Sequence, residues 1–290
     1  MKVLILIVLL LAASATAFAF YYLYTHGTHS FTINFAGMER KYLLHTPPGY
    51  DGTTPVPLVI VLHGYADTPA AIESHSGFST KSDTEGFIVV YPEGLGQSWN
   101  VGWGFFEEYA FTNNIDDVGF IRALIDSLQG KFAIDGNRIY VAGFSDGAMM
   151  AYRLASELSD RITAVASVEG TIGGHIPNSP LFTIREPAQP VSIVVFHGTA
   201  DTNVPYNGGD GTSGAYFLSV NESVSFWVRH DGCSKEPLKE VSGDTIKETY
   251  SGGRSGTEVV LFTIVNGTNT WPASATDEIW AFFKNHPKND

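Results

Sequence analysis

The stretch "YVAGFSDGAMMAYRLA" (residues 140–155) joins an apolar run to a helical pattern through a turn that contains Gly143, Ser145 and Gly147. The run before the turn predicts a buried strand, and the spacing of apolar residues after it predicts a helix. A strand that leads directly into a helix is the repeating unit of α/β folds. The stretch therefore predicts an α/β architecture for the chain around it.

Other segments show the same alternation of strand and helix patterns. Apolar runs rich in β-branched residues, typical of parallel strands buried on both faces, lie at 57–63, 86–92, 137–144, 162–168, 191–198 and 258–265. The clearest helical patterns lie at 116–132, 146–158 and 275–286. "FTINF" and "RKYLLHT" predict a hairpin before them. We therefore expect a doubly wound, mostly parallel sheet with an antiparallel N-terminal edge.

The first 24 residues, "MKVLILIVLLLAASATAFAFYYLY", contain one lysine, a long apolar run and then small residues at alternate positions. This layout is typical of a secretory signal peptide, with a cut after Ala17 or Ala19. An uncleaved signal anchor is the alternative, because residues 3–24 carry no charge and are long enough to cross a bilayer. Residues 25–290 are expected to form a single domain outside the cytoplasm, either secreted (extracellular or periplasmic) or membrane-anchored.

The composition excludes several classes of function. The chain has 17 Lys and Arg against 30 Asp and Glu, so its formal net charge of −13 repels nucleic acids. Membrane contact is expected only through an uncleaved N-terminal segment. Cys233 is the only cysteine, so no internal disulfide forms. No Cys/His cluster has metal-ligand spacing and no glycine-rich loop carries a phosphate-binding lysine, so we expect no metal and no cofactor.

Ser145 is a candidate nucleophile. Gly-x-Ser-x-Gly between a strand and a helix is the pattern of a nucleophile elbow, in which the glycines permit a sharp turn. An ordinary helix cap is the alternative. The backbone amides of Asp146 and of Tyr65, in the loop after "PLVIVLH", are the expected oxyanion donors. His63, beside them, is expected to shape that loop rather than to transfer a proton.

Asp201 is a candidate catalytic acid. It follows the strand pattern "VSIVVFHG" and comes after the nucleophile in the chain, as the acid of such a site does. The alternative is a structural Asx turn.

Five segments together resemble a known family: "YVAGFSDGAMMAYRLA", "FHGTADTNVPYNGG", "DDVGFIRALI", "WNVGW" and "LHGYADT". They are similar to secreted esterases related to feruloyl esterases, acetylxylan esterases and polyhydroxybutyrate depolymerases. The resemblance runs from about residue 42 to the last helix pattern. It implies an α/β-hydrolase fold and hydrolysis of acyl esters on plant cell-wall polysaccharides, phenolic esters or polyesters.

The resemblance also implies a catalytic histidine in a Gly-Gly-His-x-Trp-Pro segment, but the matching segment here is "VNGTNTWPAS", with Asn269 at that place. An amide cannot accept a proton at neutral pH, and loss of such a base removes about 10⁴- to 10⁶-fold of the rate. His175, in a loop after a strand pattern, is the alternative base. A sequence error or deliberate inactivation at position 269 is the other alternative.

The aromatic residues near these segments suggest a substrate cleft. Trp99, Asn100, Trp103 and Trp271 are expected to line it, with core packing as the alternative for each tryptophan. Two functions follow from the sequence. The first is an extracytoplasmic serine esterase, and the second is a catalytically impaired relative that binds polysaccharide or ester ligands without efficient turnover.

Overall fold

The computed structural model describes residues 26–106 and 108–288. The predicted signal peptide or anchor, residues 1–24, lies outside this part of the chain. Across the described ranges, no helix combines the length and the apolar character that a membrane crossing requires.

The described residues alternate between strands and helices as the sequence predicts. The strands are β1 (Gly27–Phe35), β2 (Met38–Thr46), β3 (Val56–Leu62), β4 (Ile88–Pro92), β5 (Ile134–Phe144), β6 (Ala164–Val168), β7 (Gly173–His175), β8 (Phe182–Thr183), β9 (Ser192–Gly198), β10 (Gly209–Asp210), β11 (Tyr216–Phe217), β12 (Leu238–Ser242), β13 (Thr245–Tyr250) and β14 (Val259–Ile264). The helices are α1 (Pro69–Ser76), α2 (Phe78–Glu85), α3 (Tyr109–Thr112), α4 (Asp117–Gln129), α5 (Asp146–Glu157), α6 (Val220–Asp231) and α7 (Ala275–Asn285).

Ten of these strands form one sheet in the order β1-β2-β4-β3-β5-β6-β9-β14-β13-β12. The strands from β4 to β14 in this order run parallel, and β1 and β2 form the predicted antiparallel edge. The doubly wound architecture and the α/β-hydrolase fold are therefore confirmed. The sequence analysis missed the second antiparallel edge, the hairpin of β12 and β13.

Two helical layers cover the sheet because its central strands are apolar on both faces. Leu58, Ile60 and Leu62 of β3 pack into a core with α4, α5 and α6. Val59 and Val61 point to the opposite face and pack with α1, α2 and α7. Strands covered on both sides need continuous apolar runs, which is the pattern that predicted them.

A small antiparallel sheet in the order β10-β11-β7-β8 is built from the loops that follow β6 and β9. Its strands are two or three residues long. The amide of Leu218 donates to the carbonyl of Gly173 at 3.0 Å, which continues the contact between the two loops. Gly174 of β7 lies so close to Trp103 that a side chain at this position would contact the Trp103 ring. The small sheet therefore lies against Trp103.

A buried ion pair fastens the loop after β4 to the N-terminal hairpin. Arg40 Nη2 of β2 donates to Asp117 Oδ1 at 2.7 Å, and both side chains are fully buried. The other oxygen of Asp117 accepts the amide of Asn100 at 2.8 Å. The Arg40 guanidinium also lies 3.8 Å from the centre of the Phe120 ring. Asp117 therefore connects a sheet edge, a helix and the loop that carries Asn100.

Asp117→Ala is expected to lower the free energy of unfolding by about 3–5 kcal/mol, because it leaves the Arg40 charge buried without a partner. Asp160→Ala is the matched control, since Asp160 pairs with Arg122 at a site where the two side chains are 50% and 40% exposed. Its cost should stay below about 1 kcal/mol. Urea unfolding of both variants measures the difference, and equal losses would contradict this account.

Candidate active site

The turn around Ser145 has the backbone geometry of a nucleophile elbow. Ser145 lies between β5 and α5 with φ 53° and ψ −114°, and its amide donates to the carbonyl of Val168 at 2.9 Å. A Cβ atom at Gly143 would collide with the backbone of Gly147, and one at Gly147 would collide with the carbonyl of Leu62. Both glycines are thus required by close backbone packing, and a side chain held at positive φ is typical of a functional turn.

Gly147→Ala is expected to lower the free energy of unfolding by about 1–3 kcal/mol, because the new methyl group must displace the end of β3. Gly49→Ala is the matched control, since no atom lies within 4 Å of the added Cβ and the backbone of Gly49 is not left-handed. Its effect should lie within about 0.5 kcal/mol of zero. Thermal or urea unfolding checks both, and a silent Gly147→Ala would refute the packing argument.

Ser145 opens onto a cavity of about 390 Å³ at the carboxyl edge of the sheet. Loops after β3, β5, β9 and β14 contribute to its walls, and so does the segment before α3. The lining residues are Gly64, Tyr65, Ala66, Asp67, Phe105, Phe106, Phe144, Ser145, Asn203, Val204, Phe217 and Asn269. The structure therefore brings together three residues that lie far apart in the sequence and that the sequence analysis selected: Ser145, Tyr65 and Asn269.

The two expected oxyanion donors are placed beside this cavity. Tyr65 follows β3, and Asp146 is the first residue of α5. Neither backbone amide donates a hydrogen bond within residues 26–106 and 108–288. A helix N-terminus adds a favourable field for a developing negative charge.

The side chain of Asp146 points away from solvent, and its Oδ2 accepts the amide of Trp99 at 2.9 Å. Complete burial raises the pKa of Asp146 well above its ordinary range. Burial therefore disfavours a negative charge on this side chain, next to the amides that would hold an oxyanion.

Asp201 lies in the loop after β9 and is 4% exposed. Its Oδ1 accepts the amides of Asn203 and Val204 at 2.8 and 3.1 Å. Burial alone would raise the pKa of Asp201, but hydrogen bonds from His197 and Asn269 outweigh burial, and the pKa lies below its ordinary value. Asp201 is therefore an ionised and oriented carboxylate. The Asx-type bonds of its Oδ1 leave Oδ2 free to face position 269.

Asn269 is half-buried in the loop after β14, and its Nδ2 donates to Asp201 Oδ2 at 2.7 Å. The two loops are also joined through their backbones, since the amide of Ala200 donates to the carbonyl of Gly267 at 2.8 Å. Asn269 thus makes the hydrogen bond to the acid that a catalytic histidine would make. Its side chain lacks a group that takes up a proton at neutral pH.

His63 is fully buried, and both of its ring nitrogens have partners. Nδ1 donates to the carbonyl of Gly64 at 2.8 Å, and the amide of Gly94 donates to Nε2 at 2.9 Å. Burial lowers the pKa of His63. A neutral imidazole that joins two loops agrees with the predicted structural role.

His175, the alternative base, lies on β7 in the small sheet. Its ring stacks on Tyr216 with centroids 5.1 Å apart, and Nδ1 lies 3.1 Å from the carbonyl of Ile176. It is not among the residues that line the Ser145 cavity. The structure therefore does not bring His175 to the nucleophile, and its role as a substitute base receives no support from this geometry.

Two of the three expected cleft tryptophans, Trp99 and Trp103, are buried, which is the core-packing alternative. Trp99 is fully buried, with Nε1 donating to the carbonyl of His63 at 2.9 Å, and Asn100 Nδ2 donates to the carbonyl of Ile115. Both residues hold the loop after β4 in the core instead of lining the cleft. Trp103 is 5% exposed and packs on the aromatic wall. Trp271 lies next to the cleft, in an adjoining cavity of about 330 Å³ shared with Asn269.

Phenylalanines that the sequence analysis did not select form the apolar wall instead. Phe106 stacks on Tyr65 with centroids 4.8 Å apart, and the two side chains are 45% and 38% exposed. Phe105 and Phe217 pack behind them. The sequence signal was the pair "GFFEE" after "WNVGW", which places two aromatic residues in a loop.

A buried group that the sequence analysis also missed lies behind Asp201. Potential ligand atoms of Glu169, His197 and Asp201 lie within 4.8 Å of one another. However, His197 Nε2 donates to the carbonyl of Val204 at 2.8 Å, so this nitrogen has no lone pair to offer a cation. The group is a hydrogen-bonded cluster, and we assign no metal to it.

Comparison with known proteins agrees with this geometry. A sequence model of the family described as Phospholipase/Carboxylesterase matches residues 51–242. The chain belongs to this family. It is accordingly an esterase of the α/β-hydrolase superfamily, related to the feruloyl and acetylxylan esterases.

Alignments with individual relatives cover most of the chain. NocK of Nocardia uniformis subsp. tsuyamanensis, a protein named as an esterase, is 32% identical over 82% of this chain and 72% of its own length. Feruloyl esterase B of Piromyces equi is 31% identical over 79% of this chain but only 42% of its own length. The structure of an acetyl xylan esterase from Aspergillus awamori superposes with a TM-score of 0.64 at 16% identity, covering 88% of this chain and 99% of that one, which shows a shared fold.

Proposed function

We propose that this chain is an extracytoplasmic serine esterase of the feruloyl, acetyl or polyester type, with Ser145 as its nucleophile. The observation that carries the proposal is the elbow itself: Ser145 stands at positive φ on a cavity that is also lined by Asn269, which donates to Asp201. Residues 25–290 would act as one domain outside the cytoplasm, after a signal peptide or behind an anchor. No cofactor or metal takes part in the proposed reaction.

In the proposed mechanism, Ser145 Oγ attacks the carbonyl carbon of an ester. The amides of Tyr65 and Asp146 hold the oxyanion of the tetrahedral intermediate. Collapse of the intermediate breaks the ester bond, releases the alcohol and leaves an acyl group on Ser145. Water then attacks this acyl-enzyme and releases the acid, which regenerates the serine.

The scheme needs a group that accepts the proton of Ser145 Oγ. A triad passes it to a histidine that is oriented by the acid, but the side chain bonded to Asp201 here is the amide of Asn269. Such an enzyme keeps only the rate that the oxyanion donors and substrate binding provide. This favours a second candidate function, in which the intact cleft binds an ester-bearing polysaccharide or polyester without efficient turnover.

Hydrolysis of a short-chain p-nitrophenyl ester by the purified protein tests the proposal, with Ser145→Ala and Asn269→His measured in parallel. Asn269→His is expected to raise kcat/KM by at least about 10²-fold, because it restores a base next to Asp201. Ser145→Ala in that background should abolish the gain.

The outcomes separate the two candidates. If the native protein hydrolyses the ester no faster than Ser145→Ala, while Asn269→His is active, the result supports a binding function for the natural chain. A native protein that turns over well through Ser145 requires another base. If the Asn269→His variant folds but its kcat/KM does not rise, position 269 is not the third place of a triad.

The aromatic wall provides a test of the ester class. In the Asn269→His background, Phe106→Ala is expected to raise KM for a phenolic-acid ester by about 2- to 12-fold, since a stacked aromatic pair contributes on the order of 0.5–1.5 kcal/mol. KM for an acetyl ester, which has no ring to stack, should change by less than about twofold. Phe111→Ala is the matched control, because Phe111 is similarly exposed but does not line the cavity. Equal effects on both esters would speak against a phenolic substrate.

A further inference from the structure

A second carboxyl group lies behind Asp201. Glu169 follows β6 directly, is 1% exposed and has a positive φ of 57°. Both of its oxygens accept the amide of Gly198, at 3.0 and 3.1 Å. Glu169 Oε2 lies 3.4 Å from His197 Nε2, and Asp201 Oδ2 lies 3.5 Å from the same nitrogen. Two buried carboxyl groups therefore meet at one imidazole.

This cluster lacks the positive charge that two carboxylates would need. In the described part of the chain, His197 is the basic side chain that lies within 4 Å of both groups, and no lysine or arginine joins them. His197 Nε2 already donates to the carbonyl of Val204, while Nδ1 is buried without a hydrogen-bond partner. A proton on Nδ1 would bury an N–H donor without an acceptor. Like charges in a buried site cannot both persist, so one carboxyl group holds a proton.

The hydrogen bonds show which group holds it. Asp201 accepts the amides of Asn203 and Val204 and the side chain of Asn269, all of which favour the ionised form. Within residues 26–106 and 108–288, the hydrogen bonds that Glu169 accepts come from the amide of Gly198. Burial, together with the neighbouring Asp201 carboxylate, raises the pKa of Glu169 to about 10. Oxygen atoms of the two carboxyl groups lie within 4.8 Å of each other. The proton belongs to Glu169.

We propose that Glu169 is a positioning residue of the site: as a neutral carboxylic acid it donates a hydrogen bond to the Asp201 carboxylate and fixes that carboxylate toward position 269. A single negative charge, that of Asp201, then faces position 269. Two charged carboxylates there would repel each other. The positioning role rests on the proposed function, in which Asp201 is the acid of a triad. The protonation of Glu169 does not rest on it.

The titratable groups that face Glu169 are few. His197 of β9 and Asp201 after it are in contact with Glu169, and Tyr206 lies edge-on to the His197 ring at 5.8 Å. Because the pKa of Glu169 is raised, the folded protein keeps a proton that the unfolded chain releases above about pH 4.5. The contribution of Glu169 to stability is thus fully present below that pH and is lost as the pH rises toward 10.

The first experiment measures this linkage and needs no activity. Glu169→Gln keeps an acceptor for Gly198 and a donor for Asp201 but cannot ionise. Urea unfolding of both proteins between pH 6 and pH 9 should show the ratio of their unfolding constants, wild type over variant, rising about tenfold per pH unit. The matched control is Glu236→Gln, an exposed glutamate, for which the ratio should be flat.

A flat ratio for Glu169→Gln overturns the proposal, because it means that Glu169 is ionised in the folded protein. A Glu169→Gln protein that does not fold overturns it as well, since a neutral amide reproduces the shape and the hydrogen bonds of a neutral acid.

The second experiment measures positioning in the Asn269→His background. Glu169→Gln should keep kcat within about threefold of the parent. Glu169→Leu, of similar size but without a donor, should lower kcat by about 10- to 100-fold with KM nearly unchanged, as expected for loss of a hydrogen bond to a charged group. A residue that only supports the fold would not give this pattern, in which KM stays constant and glutamine, but not leucine, preserves kcat.

Equal kcat in the glutamine and leucine variants overturns the positioning role. An inactive Asn269→His parent removes the proposed function and the positioning role with it. The pH dependence of unfolding still decides the protonation of Glu169 independently, so the two failures are distinguishable.

Discussion

Backbone packing at the turn around Ser145 is the constraint on which the rest of the site depends. Gly143 and Gly147 touch, and Gly147 also presses on the end of β3, so the strand, the helix and the neighbouring loop share one compact contact. This contact holds Ser145 at a positive φ that an ordinary helix start would not impose. It also places the loop that carries Tyr65 beside the first turn of α5. The geometry of the proposed nucleophile and the proposed oxyanion donors therefore follows from three backbones in close contact.

The other site residues arrive through the topology of the sheet. Strands β3, β5, β9 and β14 run parallel, so the loops at their carboxyl ends meet at one edge. Local sequence was sufficient to predict this, because buried parallel strands have a recognisable apolar pattern and the turn has glycines at fixed places. The same patterns placed Ser145 and Asp201 at this edge, whereas the place of Asn269 was predicted from the family resemblance.

Features that depend on contacts between distant side chains were not predictable. Trp99 looks like a cleft residue in the sequence, yet its indole bonds to a carbonyl 36 positions away and lies in the core. Glu169 looks like the polar end of a strand, yet it shares a buried cluster with His197 and Asp201. In the β12–β13 hairpin, β12 is exposed at every position and β13 is half-buried at every position, and β13 pairs with the edge of the sheet at β14. Neither strand has the continuous buried apolar run that predicted the central strands. In each case the structure depends on a partner residue or strand that the local sequence does not reveal.

The loops that carry Asp201 and Asn269 are joined through their backbones, by the bond from Ala200 to Gly267 and by close packing of Gly198 on Gly267. The side chain at position 269 adds one hydrogen bond, from Asn269 Nδ2 to Asp201 Oδ2, to a junction that the backbones already form. These backbone contacts do not depend on which side chain stands at that position. A lineage could gain or lose turnover through a single codon while keeping the same cleft, so this scaffold gives natural selection separate control over recognition and reaction.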